Sequence, residues 1–117
     1  TTLDNALYTE DSVLELVREQ KVTGLVCEND LVALQAMKTL QDNNFSIPND
    51  LSIIGFDDIQ AASLSNPPLT TVAQDFFRMG QVAGQLLLDW IQTGERPNDV
   101  KIPVHLVKRK TLKEHTI

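Results

Sequence analysis

Two short stretches, "VTGLVCEND" and "LSIIGFDDIQ", constrain the fold of this chain most. Each is a strand-length apolar run that stops abruptly at a polar pair, Asn29–Asp30 in the first and Asp57–Asp58 in the second. A helical pattern follows each pair. Strands that hand over repeatedly to helices predict an α/β fold, a three-layer α/β/α arrangement around a mostly parallel sheet. In such a sheet the strands run the same way, so both polar pairs fall on one edge, at the carboxyl ends of the strands. That edge is where open parallel sheets bind ligands.

The rest of the chain agrees with this pattern. In "TEDSVLELVREQ", Thr9 can cap a helix, Glu10 and Asp11 load its first turn with negative charge, and Val13, Leu14, Leu16 and Val17 form an apolar stripe. "DLVALQAMKTLQDNN" keeps a three-to-four spacing through Leu31, Leu34, Met37 and Leu40, with Asp30 as the expected N-cap. A short helix is expected over Ile59–Leu64, and "SNPPLTTV" must be extended because of its prolines. Asp75 is placed to cap a long amphipathic helix over Phe76–Thr93, which Gly94 stops. "VKIPVHLVKRKTL" reads as a final extended segment. Gly80 and Gly84 predict close packing of the long helix on a sheet.

The 117 residues suit one compact domain, and 42% hydrophobic residues suit a globular chain. A net charge of −6 argues against this segment itself gripping nucleic acid, and the one dense basic run, Lys108–Lys110, reads as a solvated edge. The single cysteine, Cys27, excludes a disulfide within the chain and lies in an apolar run, as a packing residue would. No run is long enough to span a bilayer, and "TTLDNALYTE" lacks the charge and apolar stretch of a leader. A first residue other than methionine fits a processed form or a piece of something longer.

Chemically, the shared edge offers an amide and carboxylates. Asn29 both donates and accepts hydrogen bonds and Asp57 accepts them, which suits a polyhydroxylated or amide-bearing ligand. The expected division of labour sends the first residue of each pair into a cleft and leaves the second, Asp30 or Asp58, to cap the next helix. On periodicity alone, the alternative that both pairs merely end strands and cap helices stands equally. Adjacent carboxylates at a turn rarely face one substrate, so a catalytic dyad is not expected. His105 and His115 are in no metal-ligand spacing, and no nucleophile motif, phosphate loop or C-x-x-C occurs. No catalytic residue, metal or cofactor is expected.

In this order and spacing, "ND-x-x-A-L", "IP-x-DLSIIGFDD", "PPLTTV-x-QDF" and "LVKRKT" resemble the C-terminal part of a LacI/GalR-type bacterial transcriptional repressor, from Val22 onward. The resemblance implies a fragment of a periplasmic-binding-protein-like effector domain. Residues 1–74 and about 105–117 would belong to the C-terminal lobe and about 75–104 to the N-terminal lobe. It implies a small effector, a sugar or sugar derivative, contacted by Asn29, Asp57, Gln74 and Phe76, with Asp30 and Asp58 at capping positions. It implies a cytoplasmic homodimer formed through Leu34, Lys38, Leu64 and Pro67, and operator DNA held by a head outside this chain. Leu3 departs from the aromatic platform common near that position. Because the apolar face of the long helix would lack its lobe, the chain is expected to self-associate. The competing readings are a transporter's solute-binding protein, with the same lobes but exported, and a small α/β enzyme.

Overall fold

The structure, a computed structural model, describes residues 2–3 and 9–115. By packing, the chain divides into two compact units. Residues up to Ala73 and from Leu106 onward form one, and Gln74–His105 form the other.

The first unit is built on β1 (Thr2–Leu3), α1 (Glu10–Arg18), β2 (Gly24–Cys27), α2 (Asp30–Asp42), β3 (Ser52–Asp57), α3 (Gln60–Leu64) and β4 (Thr70–Ala73). The strands lie side by side in chain order, β1-β2-β3-β4, and β5 (His105–Val107) follows β4. The pairs β1–β2, β2–β3 and β3–β4 are all parallel, with Val26 opposite Ile54 and Asp57 opposite Ala73. The strand β1 carries no pattern long enough to read from sequence, and its Leu3 pairs with Cys27.

Chain-order strands joined by right-handed crossovers put successive helices on the same side of the sheet. The burial pattern agrees. Leu25, Cys27 and Ile53 point into one core with Val13 of α1, Val32, Ala33, Ala36, Met37 and Leu40 of α2, and Ala62 of α3. On the other face Val26 is 51% exposed, and Ile54, Phe56 and Val72 are half-buried. The described residues of this unit therefore supply two of the three expected layers.

Local signals account for the helix ends. Thr9 and Ser12 form a reciprocal capping box on α1. The cap of α2 is Asn29, not Asp30. Asn29 has the extended backbone a cap needs (φ −152°, ψ 174°), and its Oδ1 accepts from Val32 N at 3.0 Å, whereas Asp30 is already in the helix. The cap position of α3 is Ile59, with no side-chain bond, so Asp58 is not a cap either.

Thr111 closes the sheet below the β3–β4 pairing. It is fully buried; its hydroxyl donates to Ile53 O at 2.6 Å and accepts from Thr70 N at 2.9 Å, and its carbonyl accepts from Ile53 N at 2.9 Å. Every buried side-chain polar atom among the described residues has a partner.

The second unit is dominated by α4 (Phe76–Thr93). Asp75 caps it by accepting from Arg78 N at 2.9 Å, and Gly94 ends it in a left-handed conformation (φ 73°) that a side chain would strain. No residue of α4 is buried. Gly80 and Gly84 have no atom within 4 Å of where a Cβ would stand, so the close packing expected of them is not made among the described residues. No helix of the described residues is long and apolar enough to cross a membrane.

Candidate functional site

Asn29, two residues past the end of β2, and Asp57, the last residue of β3, both lie at the carboxyl edge of the first unit, where β2 and β3 run parallel. Both are half-buried. Asn29 spends its amide oxygen on the α2 cap, so the group it can offer a ligand is its Nδ2 donor. Asp57 ends β3 with φ 113°, and Asp58 follows at φ 58°. Two consecutive non-glycine residues in the left-handed region are held there only where surrounding bonds over-determine them.

Asp30 and Thr71 provide part of that hold. Asp30 is fully buried beneath the loop, and its Oδ2 accepts from Ile59 N at 2.8 Å. Its Oδ1 accepts from the Thr71 hydroxyl at 2.5 Å, and Thr71 Oγ1 in turn receives a longer 3.4 Å bond from Asp58 N. Gly55 makes room for this arrangement. A Cβ there would stand 2.2 Å from Asp30 Oδ1 and 3.2 Å from Asp30 Cα, so any side chain would expel the carboxylate. The expected inward-outward division is thus reversed in its details. Asn29 both caps and remains at the edge, while Asp30 turns inward to brace the neighbouring loop.

Asp58 also has a different task. Its Oδ1 accepts from Arg109 Nη2 at 2.7 Å, a charge-assisted bond that outcompetes a helix cap. Arg109 further donates from Nη1 to Leu69 O and from its backbone N–H to Thr70 Oγ1, each at 2.9 Å. The basic run around it is therefore not uniformly solvated: Lys108 and Lys110 are exposed, but Arg109 clamps the β3–α3 loop to the start of β4. Arg109, Thr71 and Thr111 carried no signal of their own as isolated residues, because their partners lie far along the chain.

Gln74 and Phe76 belong to the second unit, Gln74 half-buried and Phe76 exposed. Of the residues expected at a dimer surface, Lys38 and Leu64 are exposed, while Leu34 and Pro67 are half-buried. Lys38 pairs with Asp42 one turn on at 2.9 Å, which raises its pKa. Leu34 also packs against the core. Cys27 is buried at the end of β2, where burial, and secondarily the charge of Asp30, push its thiol up to about 12. That thiol is not a nucleophile at neutral pH. No group of His, Cys, Asp and Glu able to hold a metal occurs among the described residues.

A separate polar depression of about 160 Å³ lies at the opposite edge, lined by Thr23, Asn49, Asp50, Ser52, Lys113 and His115 among others.

A family model described as a periplasmic binding protein-like domain matches residues 2–112. The HTH-type transcriptional repressor PurR of Vibrio atlanticus (strain LGP32) is 37% identical over 111 residues, covering 94% of this chain and 33% of the repressor. The chain thus spans about a third of the length of that relative. Among solved structures, the Lac repressor bound to ONPG in the repressed state superposes with a TM-score of 0.79 at 35% identity, over 87% of this chain and 31% of that one. A LacI family transcriptional regulator from Enterococcus faecalis V583 with bound ribose gives a TM-score of 0.76 at 32% identity, over 88% and 40%.

Proposed function

Because the chain belongs to the periplasmic binding protein-like domain family, within which it matches part of the effector-binding domain of LacI-type regulators, we propose that it is the effector-binding and dimerisation region of a sugar-responsive transcriptional regulator. The observation that carries this reading is the position of Asn29 and Asp57 at the carboxyl ends of two adjacent parallel strands. One residue brings an amide donor and the other a carboxylate acceptor. Donor and acceptor together match the alternating roles of sugar hydroxyls. The ribose held by the Enterococcus neighbour and the repressor names of the relatives support the same ligand class and the same output.

In this reading Gln74 and Phe76 are the remaining ligand-binding residues, one polar and one apolar, and about 75–104 belong to the N-terminal lobe of the complete effector domain. The site binds and does not turn over its ligand. Sugar binding between lobes favours one lobe orientation, and that preference is linked to how a pair of DNA-reading heads fits an operator. A homodimer forms across the outer face of α2 and the α3 region, through Leu34, Lys38, Leu64 and Pro67. The Gln41 Nε2 bond to Asn66 O at 2.9 Å holds these two parts of the surface in one frame. The protein works in the cytoplasm, where its operator lies.

The test uses the full-length protein and operator DNA that it selects from a randomised duplex pool. Ribose, lactose and cellobiose are titrated against the complex. Asp57→Ala should leave operator affinity unchanged and move the sugar midpoint by about tenfold or more. An unchanged sugar response in Asp57→Ala would remove Asp57 from the site.

A further inference from the structure

We infer that Asp30 is the positioning residue that sets the spacing between the two ligand-facing groups, Asn29 and Asp57. The inference rests on the proposed role of those two residues and adds a residue that would touch no ligand. Asp30 directly follows Asn29 in the chain, so its main chain is continuous with one side of the site. Its side chain reaches the other side, accepting from Ile59 N at 2.8 Å and from the Thr71 hydroxyl, which itself accepts from Asp58 N. One fully buried carboxylate therefore ties the β2–α2 turn to the two residues that follow Asp57.

Two observations separate this from ordinary core satisfaction. The first is the backbone. Asp57 and Asp58 both have positive φ, a conformation that relaxes unless it is held, and the bonds to Asp58 N and Ile59 N are where Asp30 and Thr71 act. The second is Gly55, whose missing side chain is the space Asp30 Oδ1 fills. The loop, the carboxylate and the glycine form one device, spread over three elements. Holding a binding group by locked neighbours is what gives a site its affinity for one geometry.

The test is a set of substitutions at Thr71, which does not itself face the ligand in this account. Thr71→Val keeps the shape and removes the hydroxyl; Thr71→Ser restores it. In the full-length protein, binding of ribose, lactose and cellobiose is measured by calorimetry, with Asp57→Ala as the control. In parallel, amide hydrogen exchange is followed at Asp58 and Ile59 and, as a reference, at Leu25. Thr71→Val should weaken sugar binding about tenfold and speed exchange at Asp58 and Ile59 while leaving Leu25 protected, and Thr71→Ser should restore both. Asp30→Asn keeps the shape but sets an amide N–H against Ile59 N–H or the Thr71 hydroxyl, and should weaken binding at least as much as Thr71→Val.

If Asp57→Ala abolishes binding but Thr71→Val binds as the parent does, Asp30 is only structural and the inference is overturned. Faster exchange spread evenly to Leu25, with unchanged affinity, has the same meaning. If Asp57→Ala itself leaves binding unchanged, or none of the sugars binds the parent protein, the reading beneath the inference fails and takes the inference with it.

Discussion

Asp58 and Arg109 lie 51 residues apart and meet through a 2.7 Å ion pair at the edge of the sheet. The pair is neither fully buried nor free in solvent, with 27% of the Asp58 side chain and 19% of the Arg109 side chain exposed. It fastens the segment after β5 to the loop that carries Asp57.

Removing Arg109 leaves the Asp58 carboxylate and the Leu69 carbonyl short of a donor. Arg109→Met is expected to cost about 1–2 kcal/mol, between the values for surface and buried pairs. Asp58→Asn should cost less, because an amide oxygen still accepts from the guanidinium. A double-mutant cycle by urea unfolding, with coupling of about 1 kcal/mol, checks this; additive effects would mean the pair is incidental.

Gly55 has no freedom to vary. Gly55→Ala puts a methyl where Asp30 Oδ1 sits, so the carboxylate or the β3 backbone must move. The expected loss is about 3 kcal/mol, and thermal unfolding reads it. A crystal structure of the variant should show Asp30 displaced from Ile59 N.

How far the sequence reveals this arrangement depends on the range of each interaction. The ends of α4 were legible because their determinants are local. Asp75 bonds three residues ahead, and Gly94 needs nothing beyond its own φ. The carboxyl-edge placement of Asn29 and Asp57 followed from strand–helix alternation. Capping logic misassigned Asp30, because its partners Ile59 and Thr71 are 29 and 41 residues away. Arg109 was hidden for the same reason, inside a run whose neighbours are solvated. The strand Thr2–Leu3 is too short to carry a period.

Cys27 gives a pH prediction. Burial raises its pKa from 9.0 to about 12, so folding disfavours the thiolate. The contribution is intact below about pH 9 and is lost as pH rises from there toward about 12. Alkylation by iodoacetamide at pH 8 should be slow in the folded chain and fast in urea. Equal rates in both would contradict the buried placement.

The outer residues of α4 give another. Phe77 and Ile91 are 77% and 70% exposed, and Leu87 is 57% exposed. An apolar face of this kind favours association or dye binding. Light scattering of the chain should show concentration-dependent oligomers that bind a hydrophobic dye, and Leu87→Glu with Ile91→Glu should suppress both. A monodisperse monomer that excludes the dye would contradict the prediction.

A sugar titration of the isotopically labelled chain, followed by NMR, reads the location of the ligand site residue by residue. Ribose, lactose and cellobiose at millimolar concentration should perturb the Asn29 side-chain amide and the Asp57 and Asp58 backbone amides first. The signals of Thr23, Asn49 and Lys113, around the depression at the opposite edge, should stay in place. Perturbations confined to that opposite edge, with Asn29 and Asp57 unmoved, would place the sugar elsewhere than at Asn29 and Asp57.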